Sequence, residues 1–125
     1  MFDRIAADPF ARWLGVELLN VGEDTCRAAL TLTAEMTNFL GVPNGGVIFA
    51  LADYAFAGAT NSRGEDAVAL SVTIQFVSAS SVGHRLIAEA TATRQGRRAG
   101  HYEMTVTDED TGALIAVCQA VSLRT

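Results

Sequence analysis

Gly45-Gly46-Val47-Ile48-Phe49-Ala50-Leu51-Ala52-Asp53-Tyr54-Ala55-Phe56-Ala57-Gly58-Ala59-Thr60 is the stretch on which the fold turns. It is too long and too rich in alanine for a strand, so the sequence predicts a helix from Gly45 to Thr60. Apolar side chains occupy all of its faces, the mark of a helix enclosed on most sides by other elements. Apart from the phenol of Tyr54, Asp53 is its one ionisable side chain.

Outward from that helix the signals are mostly those of strands. Upstream, Asp8-Pro9-Phe10 opens a short helix, with Asp8 as N-cap, Pro9 at the first helical position and Gly15 as the stop. From Val16 to Thr33 the chain alternates, with Cys26, Ala28, Leu30 and Leu32 on one side and Arg27, Thr31 and Thr33 on the other. Gly22-Glu23-Asp24 divides this stretch into a hairpin. A loop, 34–44, leads into the long helix. Downstream, Val68, Leu70, Val72, Ile74 and Phe76 alternate with Ala69, Ser71, Thr73 and Gln75. Strands follow at 84–94, 100–108 and 113–123, with turns at Gly96 and from Asp108 to Gly112. The order is helix, two strands, buried helix, four strands. It predicts an α+β fold in which an antiparallel sheet curls around one long helix, with a short N-terminal helix beside it. No linker or internal repeat divides residues 1–125, which read as a single domain.

Composition narrows the function. Half of the 125 residues are hydrophobic and 18% are charged, a balance that suits both a core and further surface buried between subunits. The net charge of −5 repels phosphate backbones, so a nucleic-acid partner is not expected. The first residues lack the basic start and apolar run of a secretion signal, and Asp53 interrupts the longest apolar stretch, so neither export nor a membrane span is expected. Cys26 and Cys118 lie in strand-like runs without metal-ligand spacing and read as buried thiols rather than a disulfide. A cytoplasmic protein is the expectation.

Asp53 carries the chemistry in this reading. A carboxylate in an apolar helix must be paired, hydrogen-bonded or neutralised, because unpaired burial costs several kcal/mol. It either caps a neighbouring loop, faces a wet subunit seam, or serves as general base or nucleophile with a tuned pKa. Asn44-Gly45-Gly46 begins the same helix, where first-turn N–H groups lack intrahelical partners and the dipole end is positive. Glycines there permit close approach of a carbonyl or oxyanion, although they also make an ordinary turn. Gly45 and Asp53, eight residues apart, stand about 12 Å apart along a helix axis. One chain cannot bring both to the same carbon, so a site using both needs two copies.

These residues resemble a known family. The Asn38-x5-Asn44-Gly45-Gly46 loop, Leu51-Ala52-Asp53 followed by Ala55-Phe56-Ala57, and Ala69-Leu70-Ser71-Val72 look like the phenylacetate-pathway branch of hotdog thioesterases. Asp8-Pro9-Phe10 and Leu14-Gly15 extend the resemblance over nearly the whole chain. It implies a hotdog fold whose copies pair through sheet edges into dimers or dimers of dimers. It also implies hydrolysis of acyl-CoA thioesters to free acid and CoA without metal or other cofactor. In that scheme Asp53 activates water or attacks the thioester, and the Gly45 amide of a partner subunit polarises the carbonyl. Asn38 places the water or Asp53, and Ser71 lies near the carboxylate. Two departures stand out. Asn44 replaces the family's usual histidine, and Ser78-Ala79 stands where Arg-Pro often follows the strand.

CoA carries phosphates, and the one basic cluster is Arg94-Gln95-Gly96-Arg97-Arg98. Gly46, Arg97 and Arg98 are therefore the candidate contacts to substrate and CoA, the arginines at the nucleotide end, with a merely solvated turn as the competing reading. No Gly-x-Ser-x-Gly elbow or phosphate loop is present. His84 and His101, the two histidines, are expected at exposed strand starts, and no metal site is expected. Phe49, Tyr54 and Phe56 would suit an aryl-acetyl or medium-chain acyl group. The alternatives are a non-catalytic acyl-CoA binder or a hotdog hydratase. Asn44, which cannot titrate, weighs against the hydratase.

Overall fold

In the computed structural model, which describes residues 1–125, each local signal is answered by an element. Asp8 caps helix α2 (Pro9–Leu14), its Oδ1 accepting the Ala11 N–H at 2.9 Å, and Gly15 ends the helix in the left-handed region at φ 94°. Before it lies a helix that the sequence reading omitted, α1 (Phe2–Ala6). It shows no apolar period of its own and is held from outside, Tyr54 Oη donating to Ile5 O at 2.7 Å.

The hairpin forms from β1 (Glu17–Gly22) and β2 (Thr25–Thr31), and the long helix, α3, runs from Gly45 to Thr60 as expected. Four strands follow: β3 (Ala67–Phe76), β4 (Arg85–Gln95), β5 (Ala99–Asp108) and β6 (Leu114–Arg124). All six strands form one antiparallel sheet in the order β1-β2-β4-β5-β6-β3. β3 therefore lies beside β6 rather than beside its neighbours in sequence. The sheet wraps α3, which meets the expectation of a hotdog fold.

Strand alternation builds the core. Cys26, Ala28 and Leu30 of β2, Leu86, Ala88 and Ala90 of β4, and Tyr102, Met104 and Val106 of β5 turn inward. They meet Leu51, Ala52, Ala55, Phe56 and Ala59 of α3. The many alanines let the helix lie close to the sheet, and Phe56 sets its ring edge-on against Tyr102 at 5.4 Å. Burying each of the larger side chains stabilises the fold by about 2–3 kcal/mol.

Enclosure of α3 is incomplete within one chain. Gly46, Phe49, Ala50, Asp53, Ala57 and Thr60 form a stripe along it that stays partly open. Edge strand β3 is also poorly covered, with Val68 56%, Leu70 63% and Phe76 54% exposed. No helix is long and apolar enough to cross a membrane.

Candidate active site

Asp53 occupies the middle of the open stripe on α3. Its carboxylate is half-buried, and no side chain or backbone group of the chain donates to it or pairs with it. Burial raises its pKa, and the nearby negative charge of Asp8 raises it further. The group is ionisable, partly desolvated and uncommitted, which suits it to take a proton from water or to attack an acyl carbon. A loop-capping role for Asp53 is not what the chain uses it for.

The other end of the site forms where the chain enters α3. Asn44 is the N-cap, its Oδ1 accepting the Gly46 N–H at 2.7 Å, and its carbonyl takes Val47 N–H at 3.1 Å and Ile48 N–H at 3.4 Å. The Gly45 N–H is left without an acceptor in the chain. Asn44 thus engages Gly46, of the two candidate glycines, and keeps Gly45 available beside the positive end of the helix dipole. Gly45 borders a recess of about 260 Å³ with Val42, Pro43, Ile48, Phe76 and Val77.

Asn38 organises the loop leading to this end. Its Oδ1 accepts Leu40 N–H at 2.9 Å and Val42 N–H at 3.4 Å, while its own N–H donates to Val42 O at 2.8 Å. A Thr37–Pro43 bridge and a 2.7 Å bond from Asn44 N–H to Met36 O close the base. The tip projects Phe39, 95% exposed. Asn38, Asn44, Gly45 and Gly46 are thus brought together at the start of α3, and Asp53 lies two turns along it.

Ser71 lies elsewhere. Val72 and Ile74 face the core, so Ser71 stands on the outer face of β3, in a shallow depression with Thr73, Thr93, His101 and Gln119. A break in register between Ala69 and Ser71 fixes that phase. Arg97 and Arg98 are exposed in the β4–β5 turn, near the far end of α3. There Asp24 takes up Ser62, just beyond the helix, through its N–H, and Gln95 through its carboxylate.

One cluster escaped the sequence reading. Buried Asp108 accepts from Ser80 Oγ and from His84 Nδ1, both at 2.7 Å, and from the N–H groups of Asp110 and Thr111. His84 is therefore a partly buried partner, not the exposed strand start expected. Burial pushes the Asp108 carboxyl up, but the bonds from His84, Ser80 and the two amides prevail and hold it down at about 2. The bond to Asp108 in turn raises the pKa of His84. The aspartate sits between serine and histidine, so the serine has no base and this is no nucleophilic triad. His84, Asp108 and Asp110 also hold ligand atoms within 4.8 Å of one another. Both oxygens of Asp108 already have donors, and Asp110 takes the Arg85 N–H at 2.8 Å, so the group reads as a strut for the β5–β6 turn.

Comparison with known proteins agrees with this geometry. The family model described as the thioesterase superfamily matches residues 40–115, which span all of α3 and the first three of the four later strands. The chain belongs to the thioesterase superfamily. Among curated relatives, the acyl-coenzyme A thioesterase PaaI of Escherichia coli K12 is 36% identical over 102 residues, covering 82% of this chain and 73% of that protein. Among solved structures, E. coli PaaI from the phenylacetic acid degradation operon superposes with a TM-score of 0.94 at 32% identity, over 98% of this chain and 88% of that one. The smu.793 protein of Streptococcus mutans UA159, solved bound to acetyl-CoA, shares the fold with a TM-score of 0.83 at 22% identity, over 88% of each chain. Membership in the superfamily makes the chain a thioester hydrolase.

Proposed function

We propose that residues 1–125 act as one acyl-CoA thioesterase domain whose site is completed between two copies, releasing a free acid and CoA. The observation that carries this reading is Asp53: a half-buried carboxylate with a raised pKa and no partner, on the one open stripe of α3. A second supports it. The Gly45 N–H has no acceptor in its own chain, yet stands about 12 Å from Asp53 along the helix, so the two meet one carbonyl only across a pair of subunits. The uncovered, apolar edge of β3 is a ready surface for such a pairing.

In this mechanism the Gly45 amide of one subunit donates to the thioester carbonyl and stabilises the developing oxyanion. Asp53 of the other takes a proton from water as it attacks and returns it to the CoA thiolate as the C–S bond breaks. Alternatively Asp53 attacks the carbon itself, expelling CoA thiolate and leaving a mixed anhydride that water then cleaves to the free acid. Asn38 and Asn44 hold the entry to α3 in place. Ser71, on the outer face of β3, is away from Asp53 of its own chain and takes part only if the second copy brings reacting groups to that face. The relative's name and its operon favour an aryl-acetyl thioester, with medium-chain groups as the other class.

The test is thiol release from a panel of aryl-acetyl, benzoyl, short-chain and medium-chain CoA esters, for the wild type beside Asp53→Asn. The variant is expected to lose at least about a thousandfold in kcat. It is expected to melt no lower than the wild type at pH 7, since an unpartnered half-buried charge has been neutralised. Native turnover by Asp53→Asn would remove Asp53 from the mechanism. Tight CoA-ester binding without hydrolysis in the wild type would make the protein a binder.

A further inference from the structure

We infer that buried Asp108, gripping Ser80 and His84, is a positioning residue that fixes one wall of the recess beside Gly45 and so sets which acyl groups the site accepts. The inference rests on the acyl-CoA reading above, in which the Gly45 amide meets the thioester carbonyl. That carbonyl carries two substituents, the acyl carbon and the sulfur of an amide-rich pantetheine arm. The recess of about 260 Å³ is lined from α3 by Gly45 and Ile48 and from the β3–β4 connection by residues 77–80. Val42, Ile48, Phe76 and Val77 make its lining largely apolar, so it suits the hydrocarbon substituent rather than the pantetheine amides.

The connection has few ties of its own. Val77 N–H and Ser78 N–H donate to Ile115 O at 2.7 Å and 3.3 Å, and the next backbone donor to find an acceptor is Gly83 N–H, 2.8 Å from Leu32 O. From 79 to 82 no backbone N–H is bonded within the chain. The tether across that gap is the Ser80 hydroxyl, which donates to Asp108 at 2.7 Å. Ser80 is buried while Ala79 and Ser81 on either side are exposed, so the wall is pinned at this one side chain. The same carboxylate oxygen takes His84 Nδ1 at 2.7 Å, which fastens the far end of the connection. Its other oxygen accepts Asp110 N–H at 2.9 Å and Thr111 N–H at 3.3 Å, so Asp108 is itself held by the β5–β6 turn. Asp108 does not line the recess; it acts through Ser80, the residue shared by recess and network. Such a support decides how closely a bound group is gripped, and a loosened pocket loses discrimination between acyl groups first.

Thiol release from acetyl-CoA and from an aryl-acetyl-CoA is measured for the wild type, Ser80→Ala, His84→Ala and Thr111→Ala, with a thermal melt of each. Affinity for the matching ketones, in which a methylene separates sulfur from carbonyl and blocks hydrolysis, is measured by calorimetry. Ser80→Ala leaves Asp108 its three other donors. It is expected to lower kcat/KM for the aryl-acetyl ester about tenfold, chiefly through KM. The acetyl ester, too small to press on the wall, should change by less than about twofold. His84→Ala releases the second grip and should shift the same ratio in the same direction. Thr111→Ala removes the acceptor of the Ala113 N–H in the β5–β6 turn and should lower the melting temperature without moving the ratio. Equal losses for both esters in Ser80→Ala, or a ratio unmoved in both Ser80→Ala and His84→Ala, would overturn the inference and leave the thioesterase reading intact. The same change of ratio in Thr111→Ala would reduce Asp108 to a structural support and overturn it too. A wild type that cleaves no ester, with ketone affinities that still lose the aryl-acetyl preference in Ser80→Ala, would sink the thioesterase reading and leave the wall standing.

Discussion

Gly45→Pro isolates one hydrogen bond. Proline lacks the backbone N–H, and Gly45 is the first residue of α3, the helical position where proline is best tolerated. Asn44, the residue before it, already has φ −69° and ψ 133°, within the extended region that a following proline requires. The deleted N–H has no acceptor in the chain, so no intramolecular bond is lost. The one crowded contact is a new Cβ 3.1 Å from the ring of Phe76, a side chain 54% exposed and able to swing away. Stability should therefore stay within about 1 kcal/mol of the wild type. A single backbone donor to a developing oxyanion contributes about 3–4 kcal/mol, so kcat should fall roughly 100- to 1,000-fold. Gly45→Ala is the control, since it adds the same Cβ and keeps the N–H. Thiol release from the best CoA ester, with a thermal melt of each variant, gives the comparison. Unimpaired turnover by Gly45→Pro would refute the assignment of that amide to the carbonyl. Equal losses in proline and alanine variants would trace the effect to Phe76 instead.

Two further perturbations probe charge. Asp8→Asn keeps a good N-cap on α2 but removes the charge that helps raise the Asp53 pKa, so the acid limb of the kcat/KM profile should move to lower pH. An unmoved limb would mean that this limb does not report Asp53. Asp108→Asn disturbs the bonds to Ser80 and His84 and should lower unfolding free energy by about 2 kcal/mol, read by urea at pH 7. Because the folded-state pKa of Asp108 is depressed from 3.8 to about 2, its contribution is full above pH 4 and fades as pH falls toward 2. The wild type should lose its advantage over the variant in that window.

Much of this was legible in the sequence, for reasons that are local. Gly45 to Thr60 declared itself by length and alanine content, α2 by Asp8-Pro9 and Gly15, and the strands by alternation. Asp53 stood out because a charge in an apolar helix has no structural motive. The rest depended on distant partners. α1 is held by Tyr54, 49 residues from its contact at Ile5. Ser80, His84 and Asp108 looked like turn residues until two strands brought them together. Asn44 stood out as the residue in place of the family's usual histidine; that its oxygen caps the helix is a further role that an N-cap rule could have supplied. Ser71 alternates correctly, but which face it takes is decided by pairing with β6 and the register break beside it.

The position of β3 also matters for how the chain is made. Ala67 pairs with Arg124 and Val68 with Leu123, so the strand has no partner until β6 exists. On the ribosome, where synthesis runs from the N-terminus, α3 and β3 emerge well before β6 and must wait with their apolar side chains in solvent. Emergence of the eleven residues of β6, Leu114–Arg124, therefore completes two strands at once. The nascent chain is most exposed to association and chaperone capture in the moments before β6 is free.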